Sequence, residues 1–508
     1  MVRPTTAVDA VADRYLDTFA ALDPCAATAS GIAGFDDQIT DYSPDGVAAR
    51  AEAARRTLRE RLGVLLDMHA AKLDLDELNV IVSPLQSMRD VFDLMATDTE
   101  DDWALFNRRL SQIPQRVAGY ADGLRAAASV GRAPAARQLR RAIEQSGQIQ
   151  RLFITMVADA APGDDVLNAE LSRNAEQAAN AYAALVTVFR EDIGPHAREV
   201  DACGRDAYAI LSRAFLGAAI DLDEAYHWGL GQLKIIVAEQ DSIADRLYPG
   251  TSAAEALRRL DSEPRYVIHG ADALQQWMQG LSDRVVDSLA GRHFDIAEPL
   301  RTLECRIAPT QTGGVYYTGP SEDLSRPGRM WWSVPRGGVP GHHLQIGRAV
   351  MLADQLNRRR RLDCWVSGHG EGWALYAERL MAELGWLDDA GNRMGMPDAQ
   401  RFRAARVVID IGVHCGLAAP DGGIWEADRA WTFLQSHSAM AEENLRFELD
   451  RYLSWPGHAP SYAIGQRIWQ QLRDDSQSRG SSLKEFHGRA LDLGGLPLDV
   501  LRTAIAAA

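Results

Sequence analysis

Apolar residues recur at helical spacing along most of this chain, and this periodicity restricts the fold to a mainly α class. In the first 290 residues they lie three and four positions apart, as at Leu58, Leu62 and Leu65. Alanine and leucine are abundant, and clusters of β-branched residues are few. The pattern predicts a long helix over 223–247, capped by Asp221 or Asp223 and ended by Pro249-Gly250. Further helices are predicted within 341–385, 398–418, 423–454 and 461–476.

The pattern changes near residue 300. Leu303, Cys305 and Ile307 alternate with charged residues, which indicates a short strand. A turn-rich segment follows between Tyr316-Tyr317 and Trp331-Trp332. We therefore predict a small β-sheet or hairpin near 300–335. We also predict an N-terminal helical lobe over 1–290 and a C-terminal lobe over 291–508, with a cleft where they meet.

Composition excludes some classes of partner. The chain has 508 residues and a net charge of −16, so nucleic acid is not expected to bind, because phosphate recognition requires a basic surface. No run of about 18 apolar residues predicts a membrane span. The five cysteines are dispersed, and the N-terminus shows no signal-peptide pattern. These features predict a cytoplasmic protein without a disulfide framework.

Two adjacent histidines mark the first candidate site element. His342 and His343 follow Pro340-Gly341 at a predicted helix start and are separated by about 100° around the helix axis. One of them is therefore expected to face a site while the other packs or forms a hydrogen bond. Gln345 adds a polar group to the same turn. The alternative is that both histidines are satisfied within a polar interior.

Two glutamates mark the second element. Glu371 and Glu378 lie about two helical turns apart and share a face, with Trp373 and Tyr376 between them. Buried carboxylates need partners or a metal, and histidines with a glutamate from a second helix can hold zinc. His369 is a further candidate ligand or a helix-cap residue.

The remaining polar candidates lie later in the chain. Asp410 and His414 are four residues apart on one helix, either as a carboxylate that orients an imidazole or as a simple polar pair. Arg451 and Tyr462 follow, and His458 in a Pro-Gly loop is predicted to lie on the surface.

These motifs together resemble the bacterial DUF885 family over nearly the whole chain. The resemblance rests on the segments already described, on Asp23-Pro24 with Asp41-Tyr42-Ser43-Pro44, and on Ser325-Arg326-Pro327-Gly328. It implies a large, mostly helical, gluzincin-like metallopeptidase with the motif His-Glu-x-x-Pro-Gly-His-His. The implied zinc ligands are the histidines and Glu371, and the glutamate after the first histidine is the implied general base.

This chain departs from that motif at its first two positions, where Arg336 and Gly337 stand. The permanently cationic Arg336 cannot replace a metal ligand. Gly337 has no side chain that could deprotonate a zinc-bound water. If zinc binds, it is held by His342 or His343, Glu371 and His369; otherwise the site has no cofactor or an unknown one. Arg336 is expected to pair with Glu371 or to bind a substrate carboxylate.

Two functions follow. The first is a remodelled enzyme that performs acid–base chemistry or hydrolysis on a small amino-acid-like or peptide-like substrate. Its predicted catalytic residues are His342, His343, Glu371, Arg336, Tyr317 and Tyr376. Its predicted substrate-binding residues are Arg326, Arg451, Tyr462 and Gln345, supported from behind by Glu378, Asp410 and His414. The alternative is a non-catalytic pseudo-peptidase that binds a peptide or a partner.

Overall fold

The protein is mainly helical in the residues that the structure describes. The computed structural model describes residues 6–55, 61–158, 160, 164–305 and 336–506. The α-helices that begin before residue 203 are α1 Ala7–Leu22, α2 Pro24–Ala29, α3 Pro44–Arg55, α4 Arg61–Ala70, α5 Pro84–Asp90, α6 Glu100–Leu110, α7 Ile113–Ser129, α8 Ala136–Ala158 and α9 Asp165–Val188. Those that begin after it are α10 Arg205–Leu216, α11 Leu222–Leu247, α12 Ala253–Leu260, α13 Ala271–Leu289, α14 His342–Met351, α15 Arg358–Leu362, α16 Ser367–Glu383, α17 Ala390–Cys415, α18 Ala427–Ser436, α19 Glu442–Ser454, α20 Ser461–Ser478, α21 Leu483–Asp492 and α22 Leu498–Ala506.

Shorter helical turns occur at Val91–Leu94, Phe189–Ile193, Gly194–His196, Pro264–Tyr266 and Glu298–Leu300. Among the described helices, none is long and apolar enough to cross a membrane.

Helix ends follow the capping signals of the sequence. The predicted helix over 223–247 is α11, and the Asp221 side chain accepts hydrogen bonds from the backbone N–H groups of Asp223 (2.9 Å) and Glu224 (3.0 Å). These bonds satisfy donors that have no partner within the helix. At the other end, Gly250 adopts a φ of +78°, a left-handed conformation that glycine tolerates well. The chain therefore leaves the helix where Pro249-Gly250 predicted.

The predicted small β-sheet is not supported. Residues 306–335, which hold most of it, lie outside the described residues. Residues 301–305 form no strand, although Leu303 and Cys305 alternate with charged residues. Their backbone groups instead bond to the Gln275 and Gln279 side chains of α13. Elsewhere in the described ranges, β-structure is limited to isolated bridges, such as Ala418 with Ile424.

The chain forms two compact units. The N-terminal unit comprises described residues within Pro4–Cys203 together with Leu453–Trp455, and the C-terminal unit comprises those within Gly204–Tyr452 and Pro456–Ala508. Residue 290 falls inside the C-terminal unit, and the division into lobes at that residue stays a prediction.

Each unit has an aromatic core. In the N-terminal unit Phe92 packs on Phe106 with ring centroids 4.8 Å apart. In the C-terminal unit Trp373 of α16 packs on Trp469 of α20 at 4.9 Å, and both side chains are fully buried. Burial of such large rings dominates the stability of a core.

Two almost completely buried helices carry the candidate site. They are α16 and α17, and each packs closely against a neighbour because glycines remove side chains at the contact. A Cβ on Gly372 of α16 would lie 2.5 Å from the backbone carbon of Gly465 in α20. A Cβ on Gly229 of α11 would lie 3.1 Å from Val407 of α17. Charged residues on α16 and α17 are therefore held inside the C-terminal unit.

Candidate functional site

Arg336, His342 and Glu371 come together as predicted. The Arg336 guanidinium forms an ion pair with the Glu371 carboxylate, and Nε2 of His342 lies 3.5 Å from Oε2 of the same carboxylate. All three side chains are about nine-tenths buried or more. Burial alone would raise the pKa of the Glu371 carboxyl, but Arg336 and His342 lower it well below its usual range. Glu371 is therefore ionised at neutral pH.

The adjacent histidines point in different directions. His342 faces Glu371, whereas Nε2 of His343 donates a hydrogen bond to the carbonyl oxygen of Leu300 at 3.1 Å. The angular separation of consecutive helix residues predicted this division of roles. Of the two, His342 belongs to the site, and His343 ties α14 to the turn at Glu298–Leu300.

Glu378 forms a second carboxylate layer behind Glu371. Its Oε1 lies 3.6 Å from Nε of Arg336 and 3.7 Å from Nη2 of Arg403, while Oε2 accepts a long hydrogen bond from Gln400. Burial raises the pKa of the Glu378 carboxyl despite these cations. Arg336 thus lies between two buried glutamates. Glu371 and Glu378 share one face of α16, as their seven-residue spacing predicted.

Four buried arginines surround these glutamates, and we call them the arginine cluster: Arg336, Arg403, Arg406 and Arg451. Tyr462 of α20 lies at their centre, with the Arg406 guanidinium carbon 3.8 Å from its ring centroid and that of Arg336 at 5.7 Å. Arg451 donates a hydrogen bond to the Tyr462 hydroxyl at 3.1 Å. A planar guanidinium stacks favourably on such a ring.

The cluster contains a third carboxylate and an under-satisfied cation. Glu448 accepts from Arg451 at 3.3 Å and lies 3.9 Å from Nη1 of Arg406. The Nε and Nη2 groups of Arg406 are buried and have no hydrogen-bond partner within the described residues. Asp410 is a fourth acidic group near Arg406 and Arg451, and two donors of Arg406 remain unused within the described residues.

His458 is buried beside the cluster, so its predicted surface position is wrong. Its Nδ1 accepts a hydrogen bond from Arg451 at 3.2 Å, and its ring packs edge-on against Phe215. Burial and the neighbouring Arg451 lower the pKa of His458 well below its ordinary value. The Pro456-Gly457 turn folds inward because the Gly457 N–H donates to Asp410 at 2.9 Å.

Asp410 and His414 are linked through a residue that sequence reasoning missed. The Tyr208 hydroxyl donates to Oδ1 of Asp410 at 2.6 Å, and the Tyr208 ring stacks on His414. Nε2 of His414 donates to the Tyr452 carbonyl oxygen at 2.9 Å. Burial raises the pKa of Asp410 to about 7, although Tyr208 and Gly457 oppose this shift.

The other predicted site residues either lie away from Glu371 or fall outside the described residues. Gln345 bonds to His369, and His369 packs on Trp469 rather than joining Glu371. The Tyr376 hydroxyl bonds to Nε2 of His487 at 2.8 Å, so it is engaged away from Arg336. Tyr317 and Arg326 lie outside the described residues.

Arg403 and Arg406 were missed, although the sequence carries a signal for them. Arg403, Arg406, Asp410 and His414 follow one another at spacings of three and four on α17, so they share a face of a segment, 402–415, that is otherwise apolar. A charged stripe on a buried helix indicates a buried polar site.

The described residues do not fit the zinc site that the resemblance implies. The Arg336 guanidinium is paired with the Glu371 carboxylate, and its positive charge would repel a metal dication at that position. His343 and His369 are directed to other partners. Within the described ranges, no group of three or more His, Cys, Asp or Glu residues is placed to hold a metal.

Two solved structures share this fold. One is described as a putative lipoprotein from Colwellia psychrerythraea, with a TM-score of 0.81 and 19% identity over 98% of both chains. The other is described as a putative lipoprotein of unknown function from Shewanella oneidensis, with a TM-score of 0.72 and 16% identity over 99% of this chain and 100% of that chain. At these identities the similarity establishes the fold. No curated protein matches the chain.

The predicted cytoplasmic location is wrong by this comparison, because these two proteins are described as putative lipoproteins. The reason lies in the cysteines on which the prediction depended. Cys25 and Cys305 are buried and unpaired. Such residues serve as small apolar core residues and carry no information about the redox compartment.

The model of one protein family, described as bacterial protein of unknown function (DUF885), matches residues 24–505. That range contains every described side chain of the site, from Tyr208 on α10 to Tyr462 on α20. The chain belongs to the DUF885 family.

Proposed function

We propose that this protein binds a small amino-acid-like or peptide-like molecule through its carboxylate at the arginine cluster, and acts on it by acid–base chemistry at His342, which Glu371 orients. The observation that carries the proposal is Arg406, whose buried Nε and Nη2 groups have no hydrogen-bond partner within the described residues. A buried donor without a partner is costly, more so when it is charged. A carboxylate satisfies a guanidinium with two parallel hydrogen bonds.

The local charge supports an anionic ligand. Arg336, Arg403, Arg406 and Arg451 face Glu371, Glu378 and Glu448, and burial raises the pKa of Glu378. One negative group would satisfy the unused Nε and Nη2 donors of Arg406. The Arg406 guanidinium stacks on the ring of Tyr462, while its Nε and Nη2 groups have no hydrogen-bond partner within the described residues.

The acid–base roles follow from charge. Glu371 is a weak proton acceptor because Arg336 and His342 lower its pKa. It serves instead as a fixed negative charge 3.5 Å from Nε2 of His342. His342 is the proposed base, and Glu371 orients it.

A specific observation also favours non-catalytic binding. His342 is only 2% exposed, so substrate contact with its ring requires local rearrangement. A pseudo-peptidase that retains the arginine cluster would bind the same carboxylates without turnover. The gluzincin-like relation that the resemblance implies stays a prediction under both proposals.

Calorimetry with N-acetylglycine tests the binding proposal. Wild-type protein is expected to bind it, and Arg406→Met is expected to weaken binding by roughly tenfold or more, the usual effect of losing a charged hydrogen bond. Arg406→Lys should restore only part of this affinity, because an ammonium lacks the planar fork. The control is Arg446→Met, at an exposed surface arginine on α19. Equal binding by all four proteins would overturn the proposal.

Turnover separates the two functions. A panel of dipeptides is incubated with the protein, and amine release is measured. Release that is lost in His342→Gln, while N-acetylglycine still binds, supports the enzyme. Binding without release from any dipeptide supports the non-catalytic alternative.

A further inference from the structure

A half-exposed tryptophan lies at the edge of the site. Trp365 stands between α15 and α16, and its side chain is 49% exposed. Its ring centroid lies 5.9 Å from that of His342. Its six-membered ring also lies over Gly370, where any added Cβ would overlap it. An exposed indole is thus held in a fixed position beside the Glu371–His342 pair.

Further apolar side chains lie on the same helix as His342. Ile346 and Val350 follow His342 at successive spacings of four on α14, so the three residues share a face. Ile346 is 42% exposed and Val350 is 38% exposed. Together with Trp365 they form what we call the apolar rim. Single exposed apolar residues are ordinary, so the inference rests on Trp365, whose ring contacts His342 directly.

Trp365 is connected to the arginine cluster through a series of side-chain contacts. Trp365 contacts His342, His342 lies against Glu371, and Glu371 pairs with Arg336. Arg336 and Arg406 then both lie over Tyr462. The apolar groups stand at the exposed end of this series, and the under-satisfied guanidinium stands at its buried end.

We propose that Trp365 is a substrate-binding residue that receives an apolar side chain of the same molecule whose carboxylate binds Arg406. This inference rests on the proposed function and names its substrate class: amino-acid-like or peptide-like molecules with a large apolar or aromatic side chain. Ring contact with Trp365 would select such molecules, because an indole offers a broad, rigid apolar face at low entropic cost. Gly370 is required because only glycine leaves room for the indole.

Two probes that differ in one side chain test the inference by calorimetry. N-acetyl-L-phenylalanine is expected to bind wild-type protein roughly tenfold more tightly than N-acetylglycine, as for an aromatic group entering an apolar subsite. Trp365→Ala should reduce this ratio to about threefold or less. Trp365→Phe should retain most of the preference. The control is Ile424→Ala, at a 74% exposed residue.

The outcomes distinguish this inference from the function on which it rests. Equal affinities for the two probes in wild-type protein, or a ratio unchanged by Trp365→Ala, would overturn the apolar subsite and leave carboxylate binding intact. If neither probe binds the wild-type protein, the proposed function and this inference are both wrong. Arg406→Met should weaken both probes by the same factor and leave their ratio unchanged.

Discussion

Arg336 is the residue that most changes the chemistry of this site. It places a permanent positive charge between Glu371 and Glu378, where the family resemblance implies a metal ligand nearby. A buried carboxylate must be compensated, and a guanidinium can do this as a dication would. Arg336 therefore compensates the charge of the buried carboxylates as a metal ion would. It does not supply the Lewis acid chemistry of zinc.

The double variant Arg336→His with Gly337→Glu should increase zinc binding. It removes the cation from Glu371 and supplies the imidazole and carboxylate of the motif that the resemblance implies. Metal analysis after dialysis against zinc is expected to show more zinc per chain than in wild-type protein. Arg446→His is the control for adventitious binding by an added imidazole. Stoichiometric zinc that wild-type protein keeps through chelation would contradict this account of Arg336.

Asp410 should make stability depend on pH near neutrality. Its pKa is raised to about 7 in the folded protein, above its unfolded value, because the carboxyl is buried. Between about pH 4 and pH 7 the native state therefore holds a proton that the unfolded state has lost, and stability falls as the pH rises. Asp410→Asn cannot titrate, so it lacks this fall. Its free energy of unfolding, relative to wild type, should increase across that range by a few kcal/mol, at about 1.4 kcal/mol per pKa unit.

Urea unfolding at a series of pH values measures this difference. Tyr208, Arg406 and Arg451 lower the pKa of Asp410 and keep their interactions in wild-type protein. The measured quantity is therefore the change with pH of the stability difference between Asp410→Asn and wild type. Asp421→Asn, at an exposed carboxylate, should show no such trend. A flat difference between Asp410→Asn and wild type would show that the carboxyl is already ionised near pH 5.

At the scale of elements, the sequence predicted helices better than their surroundings. Asp221 identified the start of α11, because capping depends on neighbouring residues alone. His458 was misplaced, because a Pro-Gly loop usually lies on the surface. Its burial depends on the Gly457 N–H reaching Asp410, 47 residues earlier in the chain. Such contacts between distant segments are not visible in local patterns.

Close packing of α16 against α20 should make Gly465 intolerant of a side chain. An added Cβ would overlap the carbonyl oxygen of Gly368 and lie 2.9 Å from the Cα of Gly372. Gly465→Ala is expected to destabilise the protein by about 1–3 kcal/mol, because overpacking forces the backbones apart. Gly231→Ala is the matched control: it lies within α11, with nothing within 4 Å of its added Cβ.

Gly231→Ala should raise stability by about 0.4–1 kcal/mol, since alanine reduces the entropy of the unfolded chain. Thermal unfolding of both variants compares the two effects under one set of conditions. A Gly465→Ala protein as stable as Gly231→Ala would mean that α16 and α20 adjust to the methyl group. The Glu371 and Tyr462 side chains, which these helices carry, would then be less rigidly placed than the contact indicates.

At the scale of the whole molecule, the sequence established the helical class and the family, because periodicity and motifs extend over the full chain. It also brought Arg336, His342 and Glu371 together correctly. It did not reveal that Arg403 and Arg406 complete the site, because the composition suggests the opposite charge. The net charge is −16, yet four arginines gather at this site. Overall charge describes the surface and says little about a buried cluster.

This contrast predicts an unusual salt dependence for carboxylate binding. An anion approaching a chain of net charge −16 is repelled at long range, and salt reduces that repulsion. The association rate constant of N-acetyl-L-phenylalanine should rise roughly two- to tenfold between about 10 mM and 150 mM salt. Its dissociation rate should change less, because contacts with the buried Arg406 are poorly screened.

Stopped-flow tryptophan fluorescence measures both rates. The neutral amide of the same molecule is the control, and its association rate should hardly respond to salt. An association rate for the carboxylate that falls as salt is added would mean that the field of the arginine cluster, rather than that of the acidic surface, governs the approach of the ligand.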